Sequence, residues 1–389
     1  MTALTSPPVV APAPPAEDAP RTGPSMLERA LRVTGRWVAA IGGALVIFGA
    51  FMAAKGVAPV EAYRDMFQST FTGWSSFGDI LIRSAPIALA ALGVAVPARA
   101  GLINVGGEGQ LVIGGVAAAG ISLLVDNSLP GQLTLVLMLI VACVAGGAWA
   151  GLAGVFRLRF GINESVTTLL SNYIALDIML FLIYDAWKDP NGSGQPSTRP
   201  LPVSERLPVL GDSRVHMGVV IAIVAAIVVS LALSRTAWGF RLRVVGGNPE
   251  AARRAGLKVG LLLVGAMFVG GALAGLGGAV QLTGAEFKLR PGFCLTYGYV
   301  GFLASWLARH KPIRVAIAAA FLSSIAIAGD SLQIDSGLPA ASVSVLMALV
   351  LLAVFGWGSP KLRTGSGIGG GRSALRWPFV NLKRKGDDS

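Results

Sequence analysis

Residues 218–234 read GVVIAIVAAIVVSLALS, residues 235–258 read RTAWGFRLRVVGGNPEAARRAGLK, and residues 259–281 read VGLLLVGAMFVGGALAGLGGAVQ. The outer segments are each close to the roughly 20 apolar residues that one helical crossing of a bilayer needs. The middle segment carries six Lys or Arg against one acid, Glu250. An apolar span, a basic island and a second apolar span in succession define an all-α polytopic membrane protein. Inside the island a small helix is encoded. Asn248 caps its first turn, Pro249 suits the first helical position, and Glu250 complements the positive helix end. Ala251 and Ala252 continue it, Arg253 and Arg254 fall in its last turn, and Gly256 ends it. About seven residues, roughly 10 Å at the usual rise, make a rigid charged element that a partner could grip.

Composition agrees with that class. The 389 residues are 53% hydrophobic and only 13% charged, with a mean hydropathy of +0.67, whereas soluble domains carry about 25% charged residues. The formal charge of +12 falls at the ends of apolar spans and in the C-terminal tail, where membrane topology accounts for it better than nucleic acid does. Cys143 and Cys294 lie in apolar segments without metal-ligand spacing, and His216 and His310 stand apart at membrane edges. These residues predict no metal site and no redox role. None of the eight lysines precedes Ser or Thr, so a GxxxxGK[ST] phosphate loop cannot occur and any nucleotide-driven work belongs to another polypeptide.

Working outward, apolar runs predict ten spans, near 37–54, 79–97, 104–125, 132–155, 164–184, 215–234, 259–282, 292–308, 313–329 and 339–357. Residues 1–36 form a Pro- and Ala-rich N-terminal segment expected to be disordered, and 358–389 a basic tail. With the N-terminus cytoplasmic, every inside segment is basic. The outside loop 185–214 balances Asp185, Asp189, Glu205 and Asp212 against Lys188, Arg199, Arg206 and Arg214, and 330–338 holds Asp330 and Asp335 alone. Both termini are therefore expected in the cytoplasm. The nonapeptides 146–154 (GGAWAGLAG) and 270–278 (GGALAGLGG) agree at seven of nine positions, as close helix packing or an internal repeat would produce.

Polar residues at membrane depth are the candidate functional groups. Glu164, Thr167, Thr168, Ser171 and Asn172 recur on one face of a helix, which lines either a buried interface or a watery path. Residues 101–110, GLINVGGEGQ, hold four glycines with Asn104, Glu108 and Gln110 and predict a broken helix start. Glu108 either braces that break or stands in the path. Gln281, Glu286, Tyr297, Tyr299 and Trp306 could offer hydrogen bonds and ring faces to a planar solute, or anchor helices at the interface.

These motifs point to a family. Residues 250–256, EAARRAG, have the EAAxxxG form of the cytoplasmic loop of ABC-importer permeases. Residues 101–110 resemble the GLxNIGxEGQ signature of the branched permease group that imports nucleosides and simple sugars. Residues 163–175, NESVTTLLSNYIA, are similar to the NEVxxTLMLNYIA segment of the nucleoside subgroup, and Pro291 to Phe293 with Tyr297 to Tyr299 resemble its SPGFxxGYGFxGI segment. Residues 301–308, GFLASWLA, depart from the family's GIAVALLG and place Trp306 near the expected path.

The resemblance covers about 79–357. It implies a multi-pass permease of a bacterial cytoplasmic (inner) membrane, paired with a second related permease, ATP-hydrolysing subunits and an extracytoplasmic binding lipoprotein. The chain itself would bind no cofactor, with ATP and Mg on the ATPase partner. Residues 248–256 would form the coupling helix, and the segments holding Asn104 to Gln110, Glu164 to Asn172 and Phe293 to Trp306 would enclose the solute. Nucleosides are the expected cargo and simple sugars the alternative. A proton- or sodium-coupled carrier using Glu108, Glu164 and Asp177 would differ in working without an ATPase partner, and a receptor-like protein would move no solute.

Overall fold

Helix formation follows the apolar runs. The computed structural model describes residues 26–358, apart from Asn127, Ser193, Ser336 and Ala340. In chain order these build α1 (Met26–Ala54), α2 (Pro59–Phe71), α3 (Trp74–Arg99), α4 (Gly107–Val125), α5 (Gly131–Phe160), α6 (Glu164–Tyr184) and α7 (Gly218–Arg235). Then follow α8 (Ala237–Gly247), α9 (Pro249–Arg254), α10 (Val259–Gln281), a π turn at Leu282–Glu286, α11 (Tyr297–Leu307), α12 (Pro312–Asp335) and α13 (Ala341–Gly358). Among the described residues seven helices are long and apolar enough to cross a membrane, α3 to α7, α10 with its π turn, and α12. An eighth crossing results if α1 and α2, bent by 117° at their junction, form one broken span. The chain is an all-helical, multi-pass membrane protein.

Three expectations are revised. The helix α1 begins at Met26, so residues 26–36 are helical rather than part of a disordered segment; residues 1–25 and 359–389 lie outside the described residues. Where one continuous span was expected over 292–308, the chain runs irregularly through left-handed Cys294 (φ 55°) and Thr296 (φ 70°) and then forms the 11-residue α11. At 1.5 Å per residue α11 reaches only about 16 Å, half the hydrocarbon thickness. Finally, α2 has no counterpart among the expected spans. Its Glu61, Arg64 and Asp65 keep its hydropathy low, while Met66 is buried and Phe67 and Phe71 are exposed, the composition of a helix lying in the membrane interface.

The helix α10 is the hub of the bundle, packed along α5, α3 and α4. The two matching nonapeptides face each other there. A Cβ added to Gly146 would sit 2.5 Å from the Gly271 carbonyl oxygen, and one added to Gly275 would strike the Ala142 carbonyl. The same closeness holds between Gly93 of α3 and Gly270. Backbones approach this nearly only where side chains are absent, and lipid-embedded helices use such seams because dispersion contacts replace the hydrophobic drive. Along the other edge α1, α2, α12 and α13 share a second apolar cluster around Phe48, Met52, Leu332 and Leu346.

The segment between α6 and α7 is fixed to the C-terminal end of α10 and the chain that follows it. Thr198 N–H donates to Leu289 O at 3.0 Å, Leu201 N–H to Phe287 O at 2.7 Å, and Leu207 N–H to Thr283 O at 2.9 Å. Glu205, buried, accepts from Ser122 of α4, and the Arg206 guanidinium lies 4.3 Å from the Phe287 ring centre. These bonds tie the loop to the π turn and to the irregular strand of chain that leads into α11.

Candidate functional site

The glycine-rich break before α4 is held by the polar stripe of α6. Ile103 N–H donates to a Glu164 carboxylate oxygen at 3.2 Å, Val105 N–H to Thr168 Oγ1 at 3.2 Å, and Gly109 N–H to Asn172 Oδ1 at 2.8 Å. Asn172 Nδ2 returns a bond to Val105 O at 3.1 Å and reaches the Tyr299 hydroxyl at 3.3 Å. Arg157, at the end of α5, pairs with the second Glu164 oxygen. Three side chains at i, i+4 and i+8 thus satisfy the backbone groups that an unwound segment leaves without partners. Thr167 and Ser171 take the adjoining, less buried side of α6 and bond to their own helix carbonyls at Asn163 and Thr168.

Asn104 and Gln110 form a closed amide pair. Asn104 Nδ2 donates to Gln110 Oε1 at 3.0 Å and to Gly93 O at 3.2 Å, while its Oδ1 accepts from Gln110 Nε2 at 2.9 Å and Gly106 N–H at 3.0 Å. Glu108 reaches across to α11, accepting from Thr296 N–H at 2.6 Å and Gly298 N–H at 2.7 Å. The carboxylate caps the first turn of α11, where unpaired N–H groups and the positive helix end favour an anion. Gly298 permits this, since a Cβ there would collide with the Glu108 backbone. In this conformation Asn104, Glu108, Gln110, Glu164, Thr168 and Asn172 all spend their polar atoms on bracing.

The other expected residues divide. Phe293 is buried, its ring against Gly115. Trp306 lies toward the C-terminal end of α11, its ring tilted against Phe302 and edge-on to His310. Gln281 and Glu286 bond to each other at 3.3 Å, and Glu286 also pairs with Arg290 at 2.9 Å. Tyr297 and Tyr299, however, line a cavity of about 460 Å³ between α3, α11, α12 and α13, within the range of small-molecule sites. Two charged groups join them, Arg83 of α3 and Asp330 of α12, which form an ion pair with the Arg83 guanidinium 5.6 Å from the Tyr297 ring centre. Sequence reading passes over Arg83 and assigns Asp330 to an outside loop, because each alone resembles an interfacial charge and only folding joins positions 247 residues apart.

At the opposite end of the molecule the island residues fold as their chemistry dictates. Asn248 Oδ1 accepts from Glu250 N–H and Ala251 N–H, both at 3.0 Å, and Pro249 opens the six-residue α9. Glu250 pairs with Arg253 at 3.0 Å and Arg254 at 3.4 Å. Ala252 is the buried anchor, and Gly256 (φ 81°) turns the chain toward α10. The preceding α8, with Arg241 and Arg243, was not anticipated as a separate helix; Thr236 caps it by accepting from Gly239 N–H.

A protein family described as branched-chain amino acid transport system, permease component, matches residues 76–355. The chain belongs to this permease family. Among curated relatives, a glucose ABC transporter permease protein of Haloferax volcanii is 35% identical over 79% of this chain and 83% of its own. The guanosine ABC transporter permease protein NupP of Bacillus subtilis is 31% identical over 86% and 92%. The nucleoside ABC transporter permease protein NupB of Lactococcus lactis is 30% identical over 78% and 85%. The matched region of the permease takes in the glycine-rich break, the α6 stripe, α9 and the cavity.

Proposed function

We propose that the chain is one permease of a bacterial inner-membrane ABC importer that carries nucleosides inward, driven by ATP hydrolysis on a partner subunit. The observation that carries the mechanism is α9, a capped, self-paired helix joined to α10 by the short link Ala255 to Lys258, which turns at Gly256. Seated on an ATPase, such an element would pass a push directly into the hub of the bundle. Asn248 to Gly256 are assigned to that contact. The nucleoside subgroup is supported by the NupP and NupB likenesses and by the two tyrosines on the cavity.

In this reading the chain crosses ten times with both termini in the cytoplasm, α11 and its irregular lead-in forming one broken crossing. A second related permease is supported by α6, whose outer face carries Tyr173 and Asp177, both exposed. A carboxylate on a lipid-facing surface is costly. An extracytoplasmic binding lipoprotein would meet the ordered 185–214 loop. Solute would pass near Tyr297 and Tyr299 first; the braced residues Asn104, Glu108, Gln110, Glu164, Thr167, Thr168, Ser171 and Asn172, with Phe293 and Trp306, would line or support later stages of the path.

The test is uptake of labelled nucleosides and sugars by cells lacking their own transporters and expressing this permease with its partners, with an intact or a hydrolysis-dead ATPase. Nucleoside uptake lost with the dead ATPase is the expected result. Uptake indifferent to the ATPase would overturn the mechanism. Sugar uptake without nucleoside uptake would install the second reading, a simple-sugar importer, which the 35% identity to a glucose permease favours.

A further inference from the structure

We propose that Arg83 and Asp330 recognise the edge of a planar ring carrying an N–H beside a C=O, so that the α3/α11/α12/α13 cavity selects nucleosides with a lactam base. The inference rests on the nucleoside reading above and adds the residues that read the base and the feature they read.

The pair is placed for contact with a solute. Arg83 stands 16 positions before Arg99 and Asp330 16 positions after Arg314. Both therefore lie at a similar depth, about 24 Å from the basic cytoplasmic ends of their helices. Their side chains are 25% and 52% exposed, and both border the cavity. An ion pair serving only to tie two membrane helices would gain little over apolar packing. This one also keeps unused capacity, since the Arg83 Nε–H is shut off from solvent and has no acceptor among the described residues. The Arg83 guanidinium carbon lies over the Tyr297 ring, 5.6 Å from its centre.

An arginine beside a carboxylate offers donors next to an acceptor. A lactam edge offers the complement, C=O next to N–H. In the structure the two charges satisfy each other. On entry of such a base Asp330 would accept from the ring N–H and Arg83 would donate to the carbonyl, both charge-assisted bonds, with the base on the Tyr297 face. The remaining wall is mostly apolar, with Val300, Leu303 and Met347 beside the polar Thr296 and Ser344, and suits a base better than a polyol. Sugar hydroxyls can donate and accept in any order, so they would gain no specificity here and would leave the ring face unused.

The experiment compares uptake competition by uridine and 3-methyluridine, and by inosine and 1-methylinosine, in the assembled importer. The methyl group removes the one N–H at issue. Discrimination by the binding lipoprotein is common to every arm, so the readout is the ratio of the two inhibition constants in wild type against Asp330→Asn and Arg83→Gln. We expect the wild-type ratio to fall by about tenfold in Asp330→Asn, the scale of one lost hydrogen bond to a charged group. Equal losses for methylated and unmethylated competitors, with the ratio unchanged, would overturn the inference and leave the pair a tie between helices.

A second arm needs no variant. Irradiation of the purified wild-type complex with 5-azidouridine should label peptides from α11 or α12, with protection by uridine. Uridine-protected label confined to other helices would refute the site. Wild-type import of sugar and not of nucleoside would sink the nucleoside reading and this inference together, whereas nucleoside import blind to methylation in every protein would sink only the latter.

Discussion

At the residue scale, Glu108 shows how one side chain sets the path of the chain. Its carboxylate takes the Thr296 and Gly298 N–H groups at the start of α11, so Glu108→Ala removes the acceptor of both, the Gly298 donor being buried. We expect a loss of about 2–4 kcal/mol, seen as a lowered melting temperature of the detergent-solubilised permease, with Glu108→Gln retaining part of the bonding and losing less. A wild-type melting temperature in the alanine variant would show that water or lipid headgroups replace the carboxylate.

His310 supplies a pH dependence. It sits between α11 and α12, its Nδ1 3.0 Å from Ser305 Oγ, and burial first and the neighbouring Arg99 second hold its pKa below the ordinary 6.5. The unfolded chain therefore takes up a proton before the folded one does, and stability present above pH 6.5 is lost as pH falls below it. The expected result is a melting temperature that declines below pH 6.5 and declines less in His310→Gln. An identical slope in both proteins would assign the acid sensitivity elsewhere.

At the scale of elements, what could be read from sequence was what local chemistry decides. The helix α9 follows from Asn248, Pro249 and Gly256, residues adjacent in sequence whose capping needs nothing distant. The break at 101–106 followed similarly from its glycines. The length of α11 was hidden, because Pro291 to Leu307 carries no charged residue and hydropathy does not register the left-handed turns at Cys294 and Thr296. The stripe of α6 was visible as a stripe, but whether it faced a path or a backbone depended on Ile103, Val105 and Gly109, some 60 positions away. The cavity pair Arg83–Asp330 was out of reach for the same reason.

Two predictions belong to this scale. Glu250→Lys, which removes the carboxylate that holds Arg253 and Arg254, should abolish uptake while membrane levels of the permease stay unchanged; normal uptake would dismiss α9 as the coupling element. Gly271→Leu forces a side chain against the Gly146 carbonyl, and overpacking of this kind costs about 1–3 kcal/mol or more. A much reduced yield of monodisperse protein on gel filtration is expected, and a normal yield would mean that α5 and α10 can separate without harm.

At the scale of the whole molecule, the proposed topology places the 185–214 loop and α9 on opposite sides of the membrane. A membrane-impermeant maleimide should label Gln195→Cys in intact cells and Ala255→Cys only after permeabilisation, in a background with Cys143 and Cys294 replaced by Ala. The reverse pattern would invert the orientation and separate α9 from any cytoplasmic ATPase.

The seam between α5 and α10 also bears on heredity. At Gly146, Gly271 and Gly275 the opposing surface is a carbonyl of the facing helix or the glycine backbone beside it, and glycine is the smallest residue the code provides. Every missense codon at these positions therefore adds at least one carbon where none fits, so no conservative replacement exists. A random-mutagenesis screen for lost transport should accumulate alleles here, far from charge, cavity and α9, and second-site revertants on the facing helix should be rare, because a backbone carbonyl cannot be made smaller.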